Sequence, residues 1–459
     1  MKYSLEDIIE KSIFFLIIFM PLWFGGVGLG AQMVLFLICG SLFFSLLSNF
    51  EKSKQQLFSN NLLSYLSVFF ILFIFFQIVP LPKFLLQILS PSTYKFYFQF
   101  LPGYEQYQIW RPISIWPDAT KIEFFRFSAY IFLIIIIVNT FNRKEQILRI
   151  LLVISVTGFA IACFGIIQKF TWNGMIYWFQ PVPEYAASFG PFVNRNHFAG
   201  YMELTIPIMA VFVFIEKQLE KRILFGFMSG VMLLALFLSM SRAGILSFFL
   251  ALFLVSPLIF LRGLFKKQIF YVLTIIFLVT IFIFILTKDM LIQRFLGLPA
   301  AFSGRMDIYK GAFGIFKDFP LFGIGAGNFG SIFNLYGSTG RDVVVTHCES
   351  DWMQFLTELG LIGSFCIWSY IAVFLKDVIF CHYLGRHRCC FLKNVNSAHR
   401  TGIRHDRFVL LIIVAGIISI TSIIIHGIFD INMHIPSNAM IACIIAAVLI
   451  VVAHGDFRA

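Results

Sequence analysis

YVLTIIFLVTIFIFIL, residues 271–286, is an apolar stretch without a charge, and IFLIIIIV at residues 131–138 is a second one. Such runs approach the ~20 residues that a helix needs to cross a hydrocarbon core about 30 Å thick. Around them, 59% of the 459 residues are hydrophobic and 13% are charged, far from the composition of a soluble domain. The sequence therefore predicts a membrane protein whose apolar runs are transmembrane helices.

The apolar runs predict an all-α fold, a polytopic membrane helix bundle with about twelve transmembrane helices and a long extracytoplasmic loop before the tenth. The first run, Ser12 to Val27, follows a mixed-charge stretch and lacks a small-residue cleavage site, so we expect a membrane helix rather than a signal peptide. The predicted spans begin near Ser12, Ala31, Leu62, Phe127, Ile150, Phe198, Ile223, Ala243, Gln268, Trp352, Phe408 and Ser437.

The net charge of +12 comes from Lys and Arg residues in the short gaps between apolar runs. A cytoplasmic N-terminus places most of these gaps, and the basic loop at residues 377–406, inside, as the positive-inside rule favours. Both termini are then cytoplasmic, and segments 82–123 and 288–351 lie outside. Because these charges form no basic domain or stripe, we expect no nucleic-acid partner, and the lipid bilayer is the expected partner. We expect the function on the outer face.

The chain is predicted to have three regions. Residues 1–187 hold the N-terminal transmembrane helices and the outer segment 82–123. Residues 188–436 include the outer loop 288–351, and residues 437–459 form the last helix and a cytoplasmic tail. In the outer loop 288–351, Met306 to Phe316 predicts an amphipathic helix along the membrane surface. Gly323 to Asn328 predicts a tight turn, because no βαβ unit surrounds it as a dinucleotide site requires. The eight cysteines have neither zinc spacing nor the pattern of a disulfide framework.

Two polar clusters lie at predicted outer ends of spans. Asn194, Arg195 and His197 lie in a turn-rich segment entering the sixth span, where an arginine can also snorkel towards lipid headgroups. Arg242 lies between two spans with almost no loop. An arginine at that depth needs an anionic partner, and its planar guanidinium matches a phosphate; a carboxylate of the bundle is the alternative partner.

Two further clusters lie in the outer loops. Arg305 is another phosphate ligand, and His347, with Glu349 nearby, is a candidate general base because imidazole titrates near neutral pH; a solvated loop histidine is the alternative. Asp430 and His434 link the last two spans, and with His426 they would share a face of a continued helix. Gly427 and Pro436 favour a loop that lines an acceptor cavity over a zinc site. We therefore expect no metal.

Five segments, taken in order, resemble the O-antigen ligase and polymerase superfamily. They are Asn194 to Gly200, Ser241-Arg242, Gly304-Arg305, His347 followed by ELGLIG at residues 358–363, and Asp430 to Pro436. The resemblance covers residues 188–436. One departure is Cys348, which stands where the family often has Asn, so the local orientation of His347 stays open.

The resemblance implies a glycosyltransferase that moves a glycan from undecaprenyl pyrophosphate to an acceptor sugar, as in lipopolysaccharide or surface polysaccharide assembly. It places the reaction at the periplasmic face of the bacterial inner membrane, without a cofactor. Arg242 and Arg305, with Arg195 as a further contact, would hold the pyrophosphate, and His347 would activate the acceptor hydroxyl. The remaining polar residues would support them: Asn194, His197, Glu349, Asp430 and His434.

Three other functions remain open at this stage. A polymerase differs from a ligase only in its acceptor, and a protein can also be the acceptor. A transporter or flippase of lipid-linked sugars would also place arginines in a membrane cavity. A transporter should tolerate replacement of His347 by Gln, whereas a transferase that uses His347 as its base should lose turnover.

Overall fold

The computed structural model describes residues 4–53, 62–104, 106, 109–183, 186–261, 298–337, 345–383 and 407–454. In these ranges the regular secondary structure is helical, apart from the antiparallel pair β1 (Met175–Ile176) and β2 (Gln180–Pro181). The helices are α1 Leu5–Leu22, α2 Leu29–Ser53, α3 Leu62–Ile78, α4 Lys83–Leu89, α5 Pro91–Phe100, α6 Pro117–Thr140, α7 Lys144–Phe170, α8 Arg195–Ile215, α9 Leu219–Leu238, α10 Arg242–Leu261, α11 Leu298–Asp318, α12 Phe329–Ile332, α13 Asp351–Tyr383, α14 Arg407–His426 and α15 Pro436–His454.

Eight of the described helices are long and apolar enough to cross a membrane: α2, α6, α7, α8, α9, α13, α14 and α15. Helix α3 and the apolar part of α10, Arg242–Pro257, are shorter, and α1 carries charged residues in its first turns. The chain is an all-α, multi-pass membrane protein, as predicted. The count of twelve is not confirmed, since the span near Gln268 lies outside the described residues, as do parts of the outer loop and residues 384–406 of the basic loop.

The centre of the bundle is formed by α8, α14 and α15. Buried residues make up 78% of the apolar stretch of α8 and 83% of those of α14 and α15, against 28% for α2. Helix α8 packs against α7, α9 and α14, while α15 packs against α6. Gly200 allows the segment after α14 to approach α8 closely, since a Cβ on Gly200 would lie 2.1 Å from Asn432 Oδ1. The polar segment 427–435 is therefore pressed against the start of α8.

The two predicted outer segments are joined to each other. Ile115 N donates to Ile324 O over 3.0 Å, and Thr120 Oγ1 donates to Ala326 O over 2.8 Å. Asn328 Nδ2 donates to Ser114 Oγ over 2.9 Å inside the same contact. These buried bonds satisfy polar groups that water cannot reach, so they bind the segments into one unit.

The amphipathic helix predicted for residues 306–316 is present as part of α11. Its buried positions, Ile308, Ala312 and Ile315, follow the spacing of one helical face, while Lys310 and Phe313 are exposed. The buried face packs on Phe333 and Cys348. Helix α11 is thereby fixed beside the segment that carries His347.

Helix α13 is interrupted at Gly360, whose φ of 62° and ψ of −165° belong to a region that only glycine adopts readily. A Cβ there would lie 2.4 Å from Leu321 O. The predicted glycine turn lies against the break, and it supplies replacement hydrogen bonds: Leu361 N donates to Pro320 O over 2.8 Å, and Gly325 N donates to Glu358 O over 3.0 Å.

Candidate functional site

The site begins at Asp430, in the segment between α14 and α15. Asp430 is buried and lies 3.5 Å from His197 Nε2, and it accepts hydrogen bonds from Asn196 Nδ2 and from Ile431 N at 2.8 Å. Burial alone would raise the pKa of Asp430, but the hydrogen bond and charge of His197 and the charge of His426 outweigh it and hold this pKa below its ordinary value. Asp430 is therefore a fixed anion.

Arg305 of α11 lies between two carboxylates. Its Nη2 is 3.2 Å from Glu349 Oε2 and 4.0 Å from Asp430 Oδ2, and about a third of the side chain is exposed. Arg242 begins α10 within electrostatic reach of Arg305. The structure thus brings together Arg242, Arg305, Glu349, Asp430 and His197, which come from four separate parts of the sequence.

Glu349 lies just before α13 in a left-handed backbone conformation, with φ 57°. A non-glycine residue in this region is strained, and Tyr309 Oη fixes the backbone by donating to Glu349 O over 3.1 Å. Burial and the neighbouring Asp430 raise the pKa of the Glu349 carboxyl, with Arg305 and His197 acting against them. The carboxylate is therefore more basic than an ordinary glutamate.

His347 opens onto the same site, and its ring is accessible from the cleft although protein surrounds it. The Nδ1 atom lies 3.1 Å from Gln354 Nε2. The protein around His347 partly excludes water from it, and this desolvation, followed by the charges of His434 and His197, lowers the pKa of His347 to about 3. The imidazole is therefore neutral across the physiological pH range.

His434 is a buried neighbour, with its ring centroid 6.4 Å from that of His347. Its Nδ1 lies 2.6 Å from Asp351 Oδ1, and Asp351 Oδ2 accepts from Met433 N at 2.9 Å. Arg126 Nη1 donates to His434 O over 3.3 Å. His434 thus fixes segment 427–435 against α13 and α6 and forms the rear wall of the site.

Asn194 and Arg195 lie at the N-terminus of α8, where their described hydrogen bonds are to neighbouring backbone atoms. Asn194 is the N-cap of α8, and its Oδ1 accepts from Asn196 N at 2.9 Å. Arg195 follows it, half-buried, with its backbone N bonded to Ala187 O. Asn194 therefore sets the direction of α8 and, through it, the positions of Asn196 and His197.

His426, Asp430 and His434 do not share a helical face, because α14 ends at His426. His426 Nδ1 lies 2.6 Å from Glu203 Oε1, whereas Asp430 and His434 have the separate partners described above. Among the described residues, no three His, Cys, Asp or Glu side chains are arranged to hold a metal ion.

Several polar residues of the site carry no role that the sequence patterns predicted. Gln354 lies on one face of α13 with Asp351 and Glu358, at the start of an apolar run. The sequence singled out Asp351 only as a charge near His347, and Glu358 only as part of ELGLIG. Glu203 lies inside α8 and Arg126 inside α6, and both are buried. The signal that could have found them is an ionisable or amide side chain inside a span, which marks a functional position by default.

Residues 227–368 match the model of a protein family described as O-Antigen ligase. Over these residues the chain is similar to O-antigen ligases. This match supports the resemblance inferred from the motifs, and it supports a membrane function of the ligase and polymerase type. The matched region contains Arg242, Arg305, His347 and Glu349, while Asp430 reaches the same site from beyond it. No curated protein matches the chain.

Proposed function

We propose that this chain is a glycosyltransferase that moves a glycan from undecaprenyl pyrophosphate to an acceptor sugar at the periplasmic face of the inner membrane. The observation that carries the proposal is the convergence of Arg242, Arg305, Glu349 and His347 within the region that is similar to O-antigen ligases. Pyrophosphate needs cations to stabilise its charge, and Arg242 and Arg305 supply them. The transfer also needs a neutral polar group and a carboxylate beside them, and these are His347 and Glu349.

The charges of the site favour an anionic substrate group that competes for Arg305. In the described structure Arg305 is shared between Glu349 and Asp430. A pyrophosphate carries more charge than either carboxylate and accepts the guanidinium bidentately, so it can draw Arg305 away from Glu349. Arg242 adds a second cation within reach, and Arg195 is a third candidate at the start of α8.

An apolar cavity beside the site supports a lipid-linked substrate. Trp352, Phe355 and Met433 line its end near His434, and Tyr370 and Ile420 line it deeper in the bundle. An isoprenoid chain would lose contact with water in such a cavity, and each buried CH₂ contributes about 0.8 kcal/mol to binding. The cavity lies between α3, α6, α13, α14 and α15.

The test is transfer by purified protein, with undecaprenyl-pyrophosphate glycan as donor and either core glycolipid or a second lipid-linked glycan as acceptor. Product on the core glycolipid makes the chain a ligase, and a longer glycan on the carrier makes it a polymerase. Both products should be lost in His347→Ala. Movement of the lipid-linked glycan across vesicles, with no product on any acceptor, would overturn the proposal in favour of a transporter.

A further inference from the structure

The amide of Gln354 has only one orientation that suits its neighbours. Cys348 N donates to Gln354 Oε1 over 3.2 Å, so this oxygen is the acceptor end of the amide. Gln354 Nε2 lies 3.1 Å from Glu358 Oε1. If the amide were flipped, its nitrogen would face a backbone N–H and its oxygen would face a carboxylate, so two buried bonds would be lost.

Glu358 anchors this orientation from the far side. Its Oε2 accepts from Gly327 N at 2.8 Å, and its Oε1 accepts from Phe329 N at 3.2 Å. Both donors belong to the turn and short helix that follow α11. The carboxylate is thus an acceptor towards Gln354, and one hydrogen of the Gln354 amide is directed to it.

The second hydrogen of the Gln354 amide points at His347 Nδ1, 3.1 Å away. A nitrogen that faces an N–H donor must accept, so the proton of the neutral ring lies on Nε2. His434 shows the opposite arrangement, because its Nδ1 faces the Asp351 carboxylate at 2.6 Å. The Nδ1 atoms of the two histidines therefore have chemically different partners, an amide for His347 and a carboxyl group for His434.

We propose that Gln354 and Glu358 are positioning residues that hold His347 with its proton on Nε2, as a hydrogen-bond donor towards the substrate. This differs from the general base that the family resemblance implies, because an Nε2 that already carries a proton has no free lone pair to accept one from a hydroxyl, and the lone pair of Nδ1 is directed at Gln354. The role of His347 in transfer rests on the proposed function, whereas the tautomer itself does not.

Glu349 then takes the proton of the acceptor hydroxyl. Its side chain is 42% exposed, and its neighbours are Arg305 and Tyr309 on α11, Asp430 after α14 and His197 on α8. While Arg305 stays 3.2 Å away it stabilises the ionised carboxylate. Once pyrophosphate draws Arg305 away, the carboxylate loses that partner and becomes a stronger base.

In the transfer step the acceptor oxygen forms a bond with the anomeric carbon while the bond from that carbon to the pyrophosphate oxygen breaks. The electron pair of the broken bond stays on the pyrophosphate, where His347 Nε2–H and the arginines stabilise it. The hydroxyl proton passes to the carboxylate of Glu349. No oxidant, reductant or further reactant is needed.

The tautomer is tested by ¹⁵N NMR of histidine-labelled protein in lipid, with the His347 signals assigned by their loss in His347→Gln. We expect an unprotonated Nδ1 and a protonated Nε2 in the wild type, and a shift towards the other tautomer in Gln354→Leu. Gln168→Leu is the matched control, since Gln168 is a buried glutamine of α7 that bonds to Tyr177 N. A protonated Nδ1 in the wild type, or an unchanged tautomer in Gln354→Leu, would overturn the proposal.

Kinetics separate a donor from a base. Loss of one transition-state donor lowers kcat by about 10²-fold or more, which we expect for His347→Ala. The His347→Gln variant keeps an N–H donor, so its kcat should be about tenfold higher than that of His347→Ala. If His347 were instead the general base, the Ala and Gln variants would be equally inactive. Equal loss in both variants would contradict the donor role. Absence of product from the wild type itself would instead defeat the proposed function and leave the NMR result untouched.

Discussion

At the scale of single residues, Arg305 is held by two carboxylates, which the pyrophosphate of the proposed donor would have to replace. It lies 3.2 Å from Glu349 and 4.0 Å from Asp430, so it is preorganised but not fully committed to either. Ion pairs of intermediate strength keep the guanidinium in position and still allow a substrate anion to displace the carboxylates. Under the proposed function, the two carboxylates therefore keep Arg305 in position until the pyrophosphate binds.

Arg305→Ala should raise KM for the lipid-linked donor by about 10- to 100-fold, because a hydrogen bond to a charged group contributes about 1.5–3 kcal/mol. The measurement is donor titration in the transfer assay. Lys310→Ala is the control on the same helix, since Lys310 is exposed and pairs only with Asp307 among the described residues. Equal effects of the two substitutions would show that Arg305 acts through general surface charge.

Transfer should also depend on pH through Glu349. A base must be ionised, and the pKa of Glu349 is raised above its ordinary value of 4.5 by burial and by Asp430. Activity should therefore fall as the pH drops through this raised pKa, while His347, with a pKa of about 3, stays neutral throughout that range. Glu349→Gln should lose most of kcat together with this acid limb. An acid limb that persists in active Glu349→Gln would assign the titration to another group.

Sequence patterns singled out polar residues between the spans more readily than those inside them. Arg305 and His347 stand out in a loop, where charge and imidazole are conspicuous. Gln354 and Glu358 belong to an apolar span, and their importance comes from contacts with Cys348 and the glycine turn that no local pattern contains. Asn194 was predicted as a supporting residue, and the structure makes it a helix cap.

At the scale of elements, the break in α13 and the glycine turn form one hydrogen-bonded unit. The turn donates to the carbonyl of Glu358 and to its carboxylate, and it fills the gap that Gly360 opens. The turn itself was predicted from its glycines. The break was not, because ELGLIG inside an apolar run has the pattern of an uninterrupted helix.

Gly360→Ala should lower the free energy of unfolding by at least about 2 kcal/mol, because the backbone region excludes a Cβ and Leu321 O lies 2.4 Å from it. Thermal unfolding in detergent measures the effect. Gly226→Ala in α9 is the control, since its added Cβ meets nothing within 4 Å. If the two variants had the same Tm, the break would not be a constraint on the fold.

At the scale of the whole molecule, the central helices and the joined outer segments have different sources of stability. Helices α8, α14 and α15 are buried by neighbouring helices, whereas segments 82–123 and 298–351 are joined by backbone and amide bonds such as Asn328 to Ser114. Hydropathy predicted these three helices as spans, but it did not predict that they lie at the centre of the bundle. The joining of the outer segments depends on contacts between residues some 200 positions apart, which composition and periodicity do not encode.

The predicted topology places Lys310 outside and Lys217 inside, and both side chains are exposed. In intact cells, Lys310→Cys should react with a membrane-impermeant maleimide, and Lys217→Cys should react only after the membrane is opened. The wild-type protein gives the background from the native cysteines. Labelling of Lys217→Cys in intact cells would reverse the orientation and move the site to the cytoplasmic face.

The interruption at Gly360 also bears on how the protein tolerates bilayers of different thickness. The part of α13 after the break, residues 361–383, is about 34 Å long, enough by itself for a hydrocarbon core of about 30 Å. Hydrophobic mismatch can then be relieved by tilting this part alone. Gln354 and Glu358 lie before the break and are bonded to the glycine turn. The end of α13 that carries Gln354 and Glu358 is thereby held in place independently of the lipid that surrounds its other end.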